Sequence, residues 1–244
     1  MFHESESSRT APSQRLRANG GRARPRAVTK ILLADDRGLH EAEAVLRAGG
    51  VVGFPGDAWY GLAADPWNAA AVGEVYRLKQ RPADSPISIL AANLGAAADV
   101  IAPSSDEFDI HGRTLDGPAA QLAAKFWPGA LTLIVSAHPK LPVSVTAGRG
   151  VVGVRVSASA VATRLARSVG VITATSANLH GEAPATTAAE VAERFPELAL
   201  VLDGGTISGG APSTIVDVTR IPPRLVREGS LSRGALARVI PGIQ

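Results

Sequence analysis

Two cations one residue apart, Lys79 and Arg81, and a Ser-x-Asn at Ser176 and Asn178 are the residues of this 244-residue chain whose types and spacing could do chemistry. A guanidinium fork suits a phosphate, and an ammonium acts beside it as a point charge. Pro82 forbids helix continuation. Lys79 and Arg81 are therefore expected where a helix unravels into an extended segment, with side chains i and i+2 facing the same way. Ser176 and Asn178 add a hydroxyl and an amide at the carboxyl end of an apolar run. Together the four handle phosphate and carboxylate without a glycine-rich Walker loop, and they point to a nucleotide enzyme. Each has a plainer reading alone: helix C-termini favour Lys and Arg, and Ser and Asn are common turn and cap residues.

Other residues join this set by position. The run Phe54-Pro55-Gly56-Asp57-Ala58-Trp59-Tyr60 is a strand running into Pro, Gly and Asp, the kind of strand end where an α/β fold places ligand contacts. An ordinary tight turn is the alternative. Arg155 stands inside the apolar run Val151–Val156, where it is costly to bury unless it meets an anion. That anion is read as a ligand carboxylate, with an ion pair to an Asp as the structural alternative. Ser213-Thr214 and, further on, Arg227-Glu228-Gly229 are turn or cap residues on their own.

Several classes are excluded. Gly49-Gly50-Val51-Val52-Gly53 precedes a strand, where a dinucleotide fingerprint must follow one. Walker A, Gly-x-Ser-x-Gly and Cys/His metal spacings are absent. His3, His40, His111, His138 and His180 are scattered, so no metal site and no His-based triad is expected. There is no cysteine, which removes disulfide and thiolate chemistry. No apolar run reaches the roughly 18–20 residues that span a bilayer, so no membrane contact is expected and a cytoplasmic location is read.

The elements that must position these groups follow from hydrophobic period. Helical patterns are predicted over Leu39–Ala48, stopped by Gly49-Gly50, and over Asn68–Leu78, with Asn68 as N-cap. Further helices are expected over Ala158–Val169, Thr187–Arg194 and Ser232–Val239. About eight short strands alternate with them: 51–54, 87–90, 131–135, 151–156, 171–175, 198–202, 215–218 and 224–226. A short helix and surface loops are expected over residues 92–117. The economical architecture is a large twisted sheet flanked by helices.

Charge divides the chain. Residues 1–30 hold seven Lys/Arg and two Glu, whereas the remainder holds 18 basic and 20 acidic side chains. A basic disordered tail over residues 1–28 is expected to precede a folded domain over 29–244. The domain carries no bulk positive charge with which to bind RNA.

In this order and spacing the blocks resemble the YrdC-like family of L-threonylcarbamoyl-AMP synthases, from about Leu39 to Gly229. The family pattern has Pro-Thr-Asp-Thr-aromatic-Tyr-Gly-Leu, Lys-x-Arg-Pro, Trp-Pro-Gly-x-Leu-Thr, an Arg-bearing strand, Ser-x-Asn, Ser-Thr-x-x-Asp and a late Arg before Gly. The resemblance is to the single-domain form. It implies a twisted mixed α/β sheet around a positively lined central cavity, and a reaction joining L-threonine, bicarbonate and ATP, with Mg²⁺, into threonylcarbamoyl-AMP and pyrophosphate. The product feeds a tRNA threonylcarbamoyltransferase machinery that makes t6A. By the same resemblance Lys79 and Arg81 are catalytic, and Lys79, Arg81, Ser85, Asn178, Thr186 and Arg227 bind ATP. Ala58, Arg155, Ser176 and Ser213 take the amino-acid side. Gly56 and Ala58 replace the two Thr of the first motif, and Leu90 stands where many relatives have His. All three departures fall on the amino-acid side. Two alternatives follow: a paralogue using another amine, or a non-catalytic RNA-binding module with only weak tRNA contact.

Overall fold

The structure is a computed structural model and describes residues 29–102, 117–179 and 181–244. The basic tail expected over residues 1–28, His3, His111 and His180, and most of the loops expected after residue 102 lie outside the described residues. Ten short strands form one mixed sheet. In chain order they are β1 (Lys30–Leu33), β2 (Val52–Pro55), β3 (Tyr60–Ala63), β4 (Ser88–Ala91), β5 (Leu131–Ser136), β6 (Val151–Val156), β7 (Val171–Ser176), β8 (Leu200–Asp203), β9 (Thr214–Asp217) and β10 (Arg224–Arg227). Their spatial order is β1-β8-β2-β3-β7-β4-β6-β5-β9-β10. The pairs β1/β8, β8/β2, β4/β6 and β5/β9 are parallel and the rest antiparallel.

Eight helices among the described residues flank the sheet: α1 (Asp36–Arg47), α2 (Ala69–Lys79), α3 (Leu94–Ala98), α4 (Pro118–Phe126), α5 (Val143–Thr146), α6 (Ala160–Val169), α7 (Ala188–Arg194) and α8 (Arg233–Ala237). Side chains alternate across the strands, which splits the core into two layers. On one face Val52, Phe54, Leu90, Ile172, Leu200 and Leu202 pack under α1 and α6. Their chain neighbours Val51, Ile89, Val171 and Val201 point the other way, against α2, α4 and α7. The architecture is the twisted mixed sheet with flanking helices that the apolar periods imply.

The strand count differs from the sequence reading, because β1 and β3 went unread. The four residues of β3 are all buried, and such a run carries no period. Gly61 inside it also looks like a breaker. It is there for space: a Cβ at Gly61 would lie 2.9 Å from the Phe54 ring on β2.

A second correction concerns Lys79 and Arg81. The chain does not run extended through them. Gln80 takes the left-handed conformation at φ 50°, with Gln80 N–H on the Arg77 carbonyl at 3.2 Å and Arg81 N–H on the Tyr76 carbonyl at 3.0 Å. This paired closure is a Schellman turn. It sends Lys79 into the protein interior, 2% exposed, while Arg81 emerges beyond the turn.

Candidate active site

Beside the part of the sheet face that α6 covers, side chains of β4, β5, β6, β7 and β9 on the same side of the sheet form the floor of a cavity of about 530 Å³. The size suits a drug-sized or nucleotide-sized ligand. Four strands contribute two residues each, spaced by two, Ser88 and Leu90, Thr132 and Ile134, Gly153 and Arg155, Ala174 and Ser176, and β9 adds Ile215 with Ser213 just before it. Strand alternation thereby collects residues 125 positions apart on one surface. The loop Gly56–Trp59 and Pro212 also line it.

Three guanidinium groups line this cavity, those of Arg81, Arg155 and Arg227, against a single carboxylate, Asp57. Arg81 rests on the Ser85 carbonyl through Nε at 3.0 Å and on the Pro86 carbonyl through Nη2 at 2.8 Å. Arg227 rests on the Ser213 carbonyl at 2.9 Å and reaches the Ser213 hydroxyl at 3.3 Å. That hydroxyl pairs in turn with Thr132 Oγ1 at 2.9 Å. Burial pushes the Arg227 guanidinium below its ordinary value. Burial does the same to Arg155, where the Asp57 carboxylate opposes the shift and the Arg227 charge adds to it. Cations held together in this way, each resting on carbonyls, favour an incoming anion.

Arg155 makes the ion pair that stood as its structural alternative, Nη2 to Asp57 Oδ2 at 2.8 Å, while still lining the cavity. Asp57 also accepts from the Ser157 hydroxyl and from the Ala158 and Ser159 N–H groups at 2.8 and 2.9 Å. The Asp57 carboxylate thus sits on the segment that leads into α6, up to its N-cap Ser159, and fixes the Gly56–Trp59 loop. With four donors on it, it has little capacity left for a metal ion, and among the described residues no cluster of acidic and histidine side chains could hold one.

Of the residues singled out in the sequence, Ala58, Arg81, Arg155, Ser176, Ser213 and Arg227 line the cavity. Gly56 and Leu90, two of the three departures, line it as well. Lys79 lies one layer behind: its ammonium donates to the carbonyls of Ser176 and of Asn178, the latter at 2.7 Å. Burial, then the charges of Arg81 and Arg194, lower Lys79 to about 7. Asn178 spends its amide on the Leu179 and Glu182 carbonyls at 2.7 and 3.0 Å, and its Oδ1 receives the Ser176 hydroxyl. Ser85 presents its carbonyl to Arg81 and to the Tyr76 hydroxyl, and its side chain does not line the cavity. Thr186 is likewise off the lining, with its N–H on Glu190 at 2.8 Å.

The sequence reading passed over Ser88 and Thr132, both polar residues on the cavity floor. Each alternates with apolar neighbours inside its strand, which marked a second, polar face. It also passed over Arg194, whose guanidinium holds the Ala177 and Ala183 carbonyls at 3.1 and 2.8 Å.

Comparison with known proteins adds three findings. The family model Sua5/YciO/YrdC, described as "Telomere recombination", matches residues 44–229. A threonylcarbamoyl-AMP synthase of Pyrococcus abyssi is 34% identical over 205 residues, 83% of this chain, and one of Thiobacillus denitrificans is 36% identical over 182 residues, 74% of it. The chain spans 57% of the Pyrococcus protein's length and 89% of the Thiobacillus one. Among solved structures, P. abyssi Sua5 complexed with L-threonine superposes with a TM-score of 0.77 at 32% identity, covering 89% of this chain and 61% of that one.

Proposed function

This chain belongs to the Sua5/YciO/YrdC family, and from that premise we propose that it is a nucleotidyltransferase joining L-threonine, bicarbonate and ATP into threonylcarbamoyl-AMP and pyrophosphate. Residues 29–244 would act as one catalytic unit, and its product would be consumed by a tRNA threonylcarbamoyltransferase. The observation that carries this reading is the gathering of three guanidinium groups and the Ser176, Ser213 and Thr132 hydroxyls on one cavity of nucleotide size.

The chemistry needs no covalent enzyme intermediate. The threonine amine attacks bicarbonate, giving a carbamate and water. A carbamate oxygen then attacks the α-phosphorus of ATP, the bond to the β-phosphate oxygen breaks, and pyrophosphate leaves with that electron pair. Charge grows on the leaving pyrophosphate, so positioned cations stabilise the transition state more than the ground state. We assign Arg81 and Arg227 to the polyphosphate. Lys79 adds its charge from behind the wall, and Arg155 with Ser213 takes the amino-acid carboxylate. Holding three reactants in register supplies much of the remaining acceleration. Asn178 and Thr186 shape the nucleotide end through the loop they brace, and Ser85 does so by supporting Arg81.

A second reading concerns the amine. Gly56, Ala58 and Leu90 give the amino-acid end of the cavity neither hydroxyl nor imidazole, which suits an amine other than threonine. One experiment tests both readings: mass spectrometry of the adenylate formed with ATP, bicarbonate and a mixture of amino acids. A threonylcarbamoyl adenylate is the expected product. An adenylate of another amine would favour the second reading, and no adenylate from any mixture would sink both.

A further inference from the structure

The segment between β7 and α7 carries Ser176 at its start and Pro184 near its end, both on the cavity wall. Two buried or half-buried cations on different helices grip its main chain. Lys79 on α2 takes the Ser176 and Asn178 carbonyls, and Arg194 at the end of α7 takes those of Ala177 and Ala183. Inside the segment the Asn178 amide closes onto the Leu179 and Glu182 carbonyls. Neither Lys79 nor Arg194 lines the cavity, so the carbonyls they hold are turned away from it. An anionic ligand is repelled by carbonyl oxygens and drawn to N–H and hydroxyl groups, so the direction of these oxygens matters to a polyphosphate.

Resting on the nucleotide-binding reading above, we propose that Arg194 is a positioning residue: with Lys79 it clamps the Ser176, Ala177, Asn178 and Ala183 carbonyls in the outward direction that lets the cavity accept the nucleotide's phosphates. The two members of the clamp are also coupled. The cations facing Lys79 are Arg81, from its own helix end, and Arg194, from α7. The carboxylates near Arg194 are Glu182, at 3.7 Å from its Nε, and Glu190. Arg194 thus helps hold Lys79 down near 7, so the clamp weakens as Lys79 gives up its proton on the alkaline side.

The test compares the full chain with Arg194→Ala and Arg194→Lys, and uses Arg167→Ala, an exposed arginine on α6, as control. Three readouts are taken: amide exchange over 177–185, the Lys79 ammonium titration by NMR, and ATP affinity from pH 6 to 9. In Arg194→Ala the segment is expected to exchange at least tenfold faster while the β4–β6 amides keep their wild-type protection. ATP affinity at pH 6 should fall roughly ten- to a hundredfold. The Lys79 midpoint and the alkaline fall in affinity should both move to higher pH, because a like charge is gone. Arg194→Lys should keep the wild-type midpoint yet exchange at an intermediate rate, because its shorter, more flexible stem holds an ammonium less firmly where Nη1 donated to both carbonyls. A purely structural role would loosen the segment and leave ATP affinity at pH 6 unchanged. Wild-type exchange in Arg194→Ala, or an unmoved midpoint, overturns the proposal, as does an unchanged ATP affinity where the wild type binds. A wild type that binds no ATP at any pH defeats the functional reading instead, and the exchange and titration arms still decide the clamp.

Discussion

One face of the sheet is used in two ways. Over β1, β8, β2 and β3 it is covered by α1 and α6, and Val52, Phe54, Leu200 and Leu202 are buried beneath them. Over β6, β5 and β9 neither α1 nor α6 packs on that face, and the alternating positions hold Thr132, Gly153, Arg155 and Ser213, joined by Ser88 at the start of β4. The strand geometry is the same in both regions, and what differs is the identity of every second residue. Where that residue is branched and apolar, a helix completes the layer. Where it is small, hydroxylated or cationic, the face is left open for a ligand. Leu90 and Ala174 belong to both, packing at the margin of the covered layer while lining the cavity.

The sharpest way to break this comparison is to remove a cation from the open half. Arg81→Ala is expected to lower kcat/KM by two to three orders of magnitude, about 3–4 kcal/mol of transition-state stabilisation, with stability within about 1 kcal/mol of wild type. Pyrophosphate release kinetics and urea unfolding measure the two. The covered half should behave in the opposite way. Leu165→Ala in α6, whose side chain is fully buried, should cost about 2–5 kcal/mol of stability and leave kcat/KM unchanged well below the unfolding transition.

The third test uses pH. Lys79 sits at about 7 in the folded protein and at the ordinary lysine value when unfolded. Between those values the unfolded chain binds more protons, so stability rises with pH there, on the order of 2 kcal/mol by pH 9. Urea titrations from pH 6.5 to 9.5 should show that slope, and Lys79→Met should abolish it. Over the same window ATP affinity should fall. The smallest effect belongs to Ile134→Ala on the open floor. Its side chain is half-buried and packs little, so no more than about 1 kcal/mol of stability should be lost, against the several lost under α6.

The sequence carried most of this plan, and its gaps have physical causes. The Asn68 cap was readable, and the structure shows its Oδ1 accepting from the Ala70 and Ala71 N–H groups at 3.0 and 3.2 Å. So were the apolar runs, because period 2 and period 3.6 are local properties. The direction of Lys79 was not readable. It depends on a left-handed Gln80, a conformation that nothing in that side chain demands. Asp57 was placed at a strand end, yet its partners Arg155, Ser157, Ala158 and Ser159 stand about a hundred residues downstream and meet it only once the sheet is assembled. Arg194 looked like an ordinary charge at a helix end, and its purpose lies in carbonyls that have no sequence signature.

The contact between Asp57 and the start of α6 makes that helix a shared beam. Its apolar side is seated in the covered layer, and its leading end grips the carboxylate that steadies Arg155. A change at that leading end, such as loss of the Ser159 hydroxyl that caps α6 and holds the Pro55 carbonyl, would shift a guanidinium it never touches. Drift in what the cavity prefers to bind would therefore begin outside its lining, in residues that no ligand would ever meet.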